Sequence, residues 1–452
     1  MSKPRATAPA TPPADPGSFR DPTSHVVRDG ADVLRVVEEP GWEAMDRLLR
    51  SPLAQRREAD GSLLATEPAD GVDVGPNRRA YRHPLVEPWS YPAEWSFSML
   101  RAAALLHLRL QEEAVAEGLV LKDASAFNVT FRGTAPVFID IGSFELHRPG
   151  EPWRGYQQFC RHFLYPLLVQ AHAGVSFQPL LRGSLEGIAP DLARALLRGR
   201  SVLHSGVAVH VVLHALTQGR FREQADDLGA AAASEMPPEV VARTVRRMRS
   251  TIEGLSWGDG ATSTWSSYTG RSHYQEGSLG EKDRFVERAV ARQPRQLVLD
   301  LGCNDGRYSL LAARHAASVV AVDSDHLTVD RLFHQLRSSP HHAKVLPLVM
   351  DLTDPTPSSG WALAERSAFS QRIRPDLILA LAVVHHLVLS GNVPLEAVVA
   401  DLAARACPIV IEVPTERDPM VARLLRARRP GDHHPYGRAE FERAASTSFR
   451  IV

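Results

Sequence analysis

The chain is expected to fold in the α/β class, with a helix-rich α+β half leading into a C-terminal half built on one parallel sheet. Three apolar strands that each run into an acidic turn carry this expectation. Residues 297 to 306 read Leu-Val-Leu-Asp-Leu-Gly-Cys-Asn-Asp-Gly, a strand and a glycine-bearing turn that pass directly into the helical pattern of residues 307 to 314. The strand Ser318-Val-Val-Ala-Val322 ends in Asp323, seventeen residues after Gly306, and Val345-Leu-Pro-Leu-Val-Met350 ends in Asp351. Apolar strands alternating with helices make a parallel sheet, and ligands of such sheets lie at the carboxyl ends of the strands.

The first turn is suited to a nucleoside. A Cβ at Gly302 or Gly306 would occupy the ligand's space or forbid the dihedrals of the turn. A dinucleotide G-x-G-x-x-G motif starting at Gly302 would need glycine at Asn304 and Arg307, and would not set Asp300 and Asp305 beside a pyrophosphate. The acidic turn fits a cationic or neutral ligand. Asp323 can accept both ribose hydroxyls, and Asp351 is placed to accept from an adenine amine. On these residues the C-terminal half resembles the class I S-adenosylmethionine-dependent methyltransferases, whose signature is an Asp/Glu-x-Gly-x-x-x-Gly turn, an acidic residue closing strand two and an Asp closing strand three. Many members carry glycine where this chain has Asn304. The resemblance implies a Rossmann-like methyltransferase sheet and S-adenosyl-L-methionine as cofactor. Asp300, Gly302, Asn304 and Gly306 would shape its methionine and ribose side, Asp323 the ribose hydroxyls and Asp351 the adenine.

The fourth strand, Asp376 to Ala382, opens into Val383-Val-His-His-Leu387, where this fold places groups that face the transferred methyl. His385 and His386 are the catalytic candidates, since an imidazole near its ordinary pKa of about 6.5 can take a proton from the acceptor. Tyr268 and Tyr274 precede a helix at Glu281 to Ala291 and are candidates to cover the methionine part of the cofactor. Lys282 could reach a ligand carboxylate, although an exposed helix lysine is the simpler reading. The fourth-strand loop lacks both an Asn/Asp-Pro-Pro-Tyr amine clamp and a Pro-Cys nucleophile, so nucleic-acid base methylation loses its usual support. After the fifth strand, Cys407 to Glu412, only the helical patterns Pro419 to Arg428 and Arg438 to Ala445 follow. The sheet is therefore expected to be incomplete at its C-terminal edge, covered by another chain in a homo-oligomer or by the N-terminal half.

The N-terminal half carries a second constellation. After a long helical segment from Ala93 to Glu117 come Leu121-Lys-Asp-Ala-Ser-Ala-Phe-Asn-Val129 and Val137-Phe-Ile-Asp-Ile-Gly142. The order and spacing of Asp123, Asn128 and Asp140 resemble the catalytic and metal loops of protein kinases and aminoglycoside-type phosphotransferases. By that resemblance Asp123 would orient a hydroxyl, and Asn128 and Asp140 would hold Mg²⁺ against nucleotide phosphates. No lysine lies between Lys3 and Lys122, so an arginine such as Arg35, Arg78 or Arg79 would have to supply the missing charge. The competing reading is that Asp123 and Asn128 bond their own backbone. With Ser90-Tyr-Pro-Ala-Glu-Trp95, these motifs also resemble a bacterial methyltransferase family that includes nodulation host-specificity proteins of rhizobia.

Composition bounds the rest. Lys plus Arg and Asp plus Glu each number 52 in 452 residues, so net charge makes no case for nucleic acid or an anionic membrane, and no apolar run reaches the roughly 18 residues of a membrane span. Three scattered cysteines fit a reducing cytoplasm, and the doublets His341-His342 and His433-His434 lack partners at metal-ligand spacing, so no metal is expected. The Ala-rich stretch 229–234 marks a division of the chain. The expected organisation is a disordered tail at 1–29, a kinase-like helical domain at 30–235, a linker and cofactor lid at 236–290 and the methyltransferase domain at 291–452. The function expected is methyl transfer to a small molecule or protein. The rivals are a non-catalytic scaffold with two enzyme-like folds and an ATP-dependent phosphotransferase in the first half.

Overall fold

The computed structural model describes residues 14–29, 32–148, 150–198, 238–258, 276–429 and 431–452. The expected division at 229–234 lies outside them. Strands β1 (Ser24–Asp29), β2 (Asp32–Glu38), β3 (Glu67–Pro68) and β4 (Arg78–Pro84) form an antiparallel sheet in the order β1-β2-β4-β3. The stretch 24–29, placed in a terminal tail on composition, is thus an edge strand, because Val27 and its partner Leu34 are both buried. The helix Phe97–Ala116 starts where Ser96 Oγ accepts from Met99 N, and neither Gly nor Pro interrupts it. It leads into β5 (Leu119–Leu121), the hairpin β6 (Val129–Arg132) and β7 (Ala135–Phe138), and β8 (Phe144–Leu146), which pairs with β5. The helix Pro238–Glu253 lies against Phe97–Ala116 and is no linker. Its Val241, Val245, Met248 and Ile252 recur at helical spacing and are all buried.

The second half begins with the helix Glu276–Ala291 and continues through β9 (Arg295–Leu301), β10 (Ala316–Asp323), β11 (Val345–Val349), β12 (Leu377–Leu381) and β13 (Ile409–Glu412). They form one parallel sheet in the order β11-β10-β9-β12-β13. A strand covered on both faces must be apolar along its length, and Val319 to Val322 and Leu377 to Ala380 are almost solvent-free. The sheet has five strands among the described residues, and the helix Arg438–Ala445 packs on the helix Leu395–Ala403 without adding another.

The two halves share one apolar core, in which the Phe131 and Phe333 rings meet edge to face at 6.4 Å. Polar contacts fasten its margins. Ser98 N and Oγ donate to the two carboxylate oxygens of Asp330 at 2.7 and 3.0 Å, in buried surroundings. The Ser90-Tyr-Pro-Ala-Glu-Trp95 motif forms the main fastening. Its Glu94 pairs with Arg372 of the other half, both side chains being fully buried, and the Arg372 guanidinium lies 4.5 Å from the Tyr91 ring. Arg20 with Glu365 and Arg182 with Asp354 add partly exposed pairs. These contacts lie towards β11 and the segment after it. They leave the outer edge of β13 without a backbone hydrogen bond among the described residues. No helix among the described residues is long and apolar enough to cross a membrane.

Removing one partner of a buried pair strands a charge in the core. Glu94→Ala is expected to lower stability by about 3–5 kcal/mol, read from the denaturant midpoint, whereas Arg182→Ala at the exposed pair should change it by less than about 1 kcal/mol.

Candidate active site

A cavity of about 580 Å³ runs along the C-terminal ends of all five parallel strands. Asp300, at the end of β9, is buried and accepts from Ser309 Oγ at 2.6 Å. Burial pushes its carboxyl up to about 6; Asp323 and Asp305 push the same way, while Ser309 and Lys282 oppose the shift. Gly302 and Asn304 turn the chain in left-handed conformations, with φ of 72° and 47°. A Cβ on Gly302 would stand 3.1 Å from Val383 Cγ2. Gly306 also has a left-handed φ, 76°, but it is not part of the cavity wall, and a Cβ there would collide with Leu332 of the helix His326–Arg337. The expected room for a ligand at Gly306 is therefore corrected: the glycine lets that helix close on the turn.

At the end of β10, Asp323 Oδ1 accepts from Asp325 N and Oδ2 from Asn304 N, both at 2.9 Å. Burial nevertheless holds its carboxyl above the usual range. Asp351, exposed after β11, uses Oδ1 for Thr353 N and Oγ1 at 2.8 and 2.7 Å. Past β12, Ala382 has a left-handed φ of 56°, and His386–Ser390 form a single π-helical turn. The rings of His385 and His386 lie 4.0 Å apart on the cavity wall. Burial, with some help from His386, pulls the His385 imidazole down to about 3, and burial lowers His386 too; Asp418 opposes both shifts. Burial thus favours the neutral form of both rings and leaves His385 a weaker base than the ordinary value of about 6.5 would give. Its Nδ1 is buried with no hydrogen-bond partner among the described residues.

Of the two readings of Lys282, the exposed one is corrected: it lines the cavity, where its ammonium bonds Glu412 and lies 4.8 Å from the Tyr308 ring. Sequence reasoning missed other wall residues. Arg307 is held by Asp283, with Nε 2.9 Å from Oδ1. Asp418, preceding the helix Pro419–Arg426, accepts from Met420 N at 2.8 Å and Val421 N at 3.3 Å. The Asp-Pro pair at 418–419 is a cap signature that marks a helix start in the sequence. Tyr268 and Tyr274 lie outside the described residues.

The N-terminal cluster is assembled differently. Asp123 Oδ1 accepts from Ser125 N at 2.8 Å, Asn128 Nδ2 donates to the Asp123 carbonyl at 3.3 Å, and Asp140 pairs with Arg35 of β2 at 2.8 Å. Burial and then repulsion by Asp140 raise the Asp123 carboxyl. Gly142 makes the Arg35 contact attainable, since a Cβ there would stand 2.6 Å from Arg35 Nη1. The three residues meet, but each is engaged by its own loop or by Arg35. Among the described residues no group of three or more His, Cys, Asp or Glu side chains is arranged to hold a metal ion.

No family model matches the chain. Solved structures similar to parts of it include the N-methyltransferase NodS from Bradyrhizobium japonicum WM9 in complex with S-adenosyl-L-homocysteine, at 14% identity over 41% of this chain and 86% of that one, TM-score 0.28. The bifunctional kinase-methyltransferase WbdD matches at 19% identity over 34% of this chain and 32% of that one, TM-score 0.25. The strand order and the cavity at the strand ends, not these low scores, define a protein of the Rossmann-like, doubly wound α/β class. Nodulation protein NoeA of Rhizobium meliloti strain 1021 is 35% identical over 442 residues, 96% of this chain and 92% of its own length. The chain belongs to the NoeA family of nodulation proteins.

The raised Asp300 carboxyl has a consequence for stability. Unfolded, it titrates near 3.9, so between about pH 4 and pH 6 the folded chain holds the extra proton and loses stability as pH rises. Asp300→Asn removes that loss. It is expected to stabilise the ligand-free protein by about 1–3 kcal/mol at pH 8 and to be near neutral at pH 4, as read from denaturant midpoints at the two pH values.

Proposed function

We propose that the chain is a methyltransferase that draws its methyl group from S-adenosyl-L-methionine and passes it to a small-molecule or protein acceptor. The observation that carries the reading is the character of the cavity. Asp300, Asp305, Asp323, Asp351 and Asp418 line it, while its cations Lys282 and Arg307 are engaged by Glu412 and Asp283. Such a wall repels phosphates and favours a cationic, hydroxyl-bearing guest. The buried Nδ1 of His385, which has no hydrogen-bond partner among the described residues, is a further group that a ligand can satisfy. When bound, S-adenosylmethionine supplies an electrophilic methyl on a positively charged sulfur.

The residues then take separate tasks. Asp323, already oriented by two backbone donors, accepts the ribose hydroxyls with its remaining lone pairs. Asp351 retains Oδ2 for the adenine amine. The Asp300 carboxyl, raised by burial while the cavity holds no cation, is drawn back towards the ordinary range when one approaches. His385 and His386, kept neutral by burial, line the path of the acceptor and orient it. Alignment is the main requirement of methyl transfer, so weak basicity at these rings is compatible with turnover.

Titration calorimetry with S-adenosylhomocysteine tests the reading. Micromolar binding is expected, weakened about 30-fold or more in Asp323→Ala; absence of binding by the folded protein would transfer support to a non-catalytic scaffold. His385→Asn is expected to lower kcat by less than about tenfold and leave its pH profile unchanged, because a true general base contributes about 10²- to 10⁴-fold.

A further inference from the structure

We infer that the methyl acceptor is an amine that is cationic in solution, selected by the carboxylate of Asp418. The inference rests on the methyltransferase reading and extends it to the substrate class.

Neighbouring strands lie about 4.8 Å apart, so the ends of β11, β10 and β9 span roughly 10 Å, the length scale of a nucleoside with a short side chain. Asp351, Asp323 and Asp300 stand at those three ends. A cofactor laid along them presents its reactive end at the boundary of β9 and β12. The acceptor must then approach over β12 and β13, where the wall is His385, His386, Leu387, Pro414, Asp418 and Met420. Of these six residues only Asp418 is acidic, and the Glu412 carboxylate of β13 is already bonded by Lys282. No cationic side chain among the described residues of this end is available to an anionic acceptor.

The start of the helix Pro419–Arg426 would by itself favour an anion, but Asp418 Oδ1 already fills that position. Oδ2 makes no hydrogen bond among the described residues and remains to pair with an ammonium or an N–H. Leu387, Pro414 and Met420 share this end of the cavity and offer an acceptor apolar contact but no competing charge. In the transfer, the amine gives up a proton to solvent and its lone pair forms the C–N bond. The S–C bond breaks with its electron pair remaining on sulfur, leaving neutral S-adenosylhomocysteine and an N-methylammonium product.

Sinefungin, a cofactor analogue with a carbon-bound ammonium at the position of the sulfonium methyl, projects a cation towards the acceptor end and serves as the probe. Its affinity is compared with that of S-adenosylhomocysteine in the full chain and in Asp418→Asn. Asparagine retains the helix cap while removing the charge. Sinefungin is expected to bind about tenfold tighter than S-adenosylhomocysteine in the unmodified protein, and this preference to fall below about threefold in the variant, with S-adenosylhomocysteine binding unchanged. Asp418→Glu, which keeps the charge, should keep most of the preference. An equal preference in Asp418→Asn, or none in the unmodified protein, overturns the assignment. Loss of S-adenosylhomocysteine binding in the unmodified protein would instead strike the methyltransferase reading itself.

Discussion

Parallel pairing of the five C-terminal strands is the constraint on which the candidate site depends. A parallel sheet brings every strand end of one polarity to the same edge, so residues as distant in sequence as Asp300 and Asp418, 118 positions apart, line one cavity. Burial at this edge, with smaller repulsion from neighbouring acids, raises Asp300 and Asp323 out of the ordinary carboxylate range. The chain offsets part of this with local donors: Ser309 for Asp300, two backbone amides for Asp323, Thr353 for Asp351 and the start of a helix for Asp418. What these donors leave uncompensated is a demand for positive charge, and a cationic guest meets it.

The N-terminal half enters this arrangement as a structural complement. It packs on the helix His326–Arg337, whose capping residue Asp325 also donates its backbone amide to Asp323. Asp330, two helical positions before Leu332, receives the Ser98 bonds from the other half. The helix thereby joins the ribose end of the cavity to the contact between the halves within a few residues. The segment after β11 makes a second link, since Asp351 and Thr353 line the cavity while Asp354, Glu365 and Arg372 hold the N-terminal half. Movement of either half against the other would disturb the strand ends directly.

Much of this was legible in the sequence where a local pattern decides the outcome. An apolar run closed by an acid specifies both a parallel strand and what stands at its end, and the order of Asp300, Asp323 and Asp351 across the sheet follows from it. Patterns that depend on partners were not legible. Val27 reads as tail until Leu34 lies opposite it, and Val241 to Ile252 read as linker until Phe97–Ala116 receives them. The pKa of His385 depends on its burial, and the environment of Lys282 on Glu412 and Tyr308, all set by distant segments. Gly306 shows the limit of motif reading: the glycine was recognisable, but the atom it makes way for belongs to Leu332 of a helix, not to a ligand.

The two acidic constellations of the chain differ in what they leave unsatisfied, and this separates a framework from a site. At Asp123 and Asp140 the groups are answered from within: Ser125 takes one carboxylate, a buried Arg35 the other, and Gly142 leaves just the space that Arg35 needs. A metal ion or a nucleotide would have to displace a buried guanidinium from its carboxylate, an exchange that strands one charge to gain another. At the strand ends, among the described residues, Lys282 and Arg307 are turned to acids at the rim, five aspartates share the wall, and a histidine nitrogen lies buried without a partner. Polar groups left so in a folded core are tolerated where a ligand completes them. The energetic incompleteness of the second constellation, set against the closure of the first, is the physical ground for seeking the chemistry of this chain at the ends of its parallel sheet.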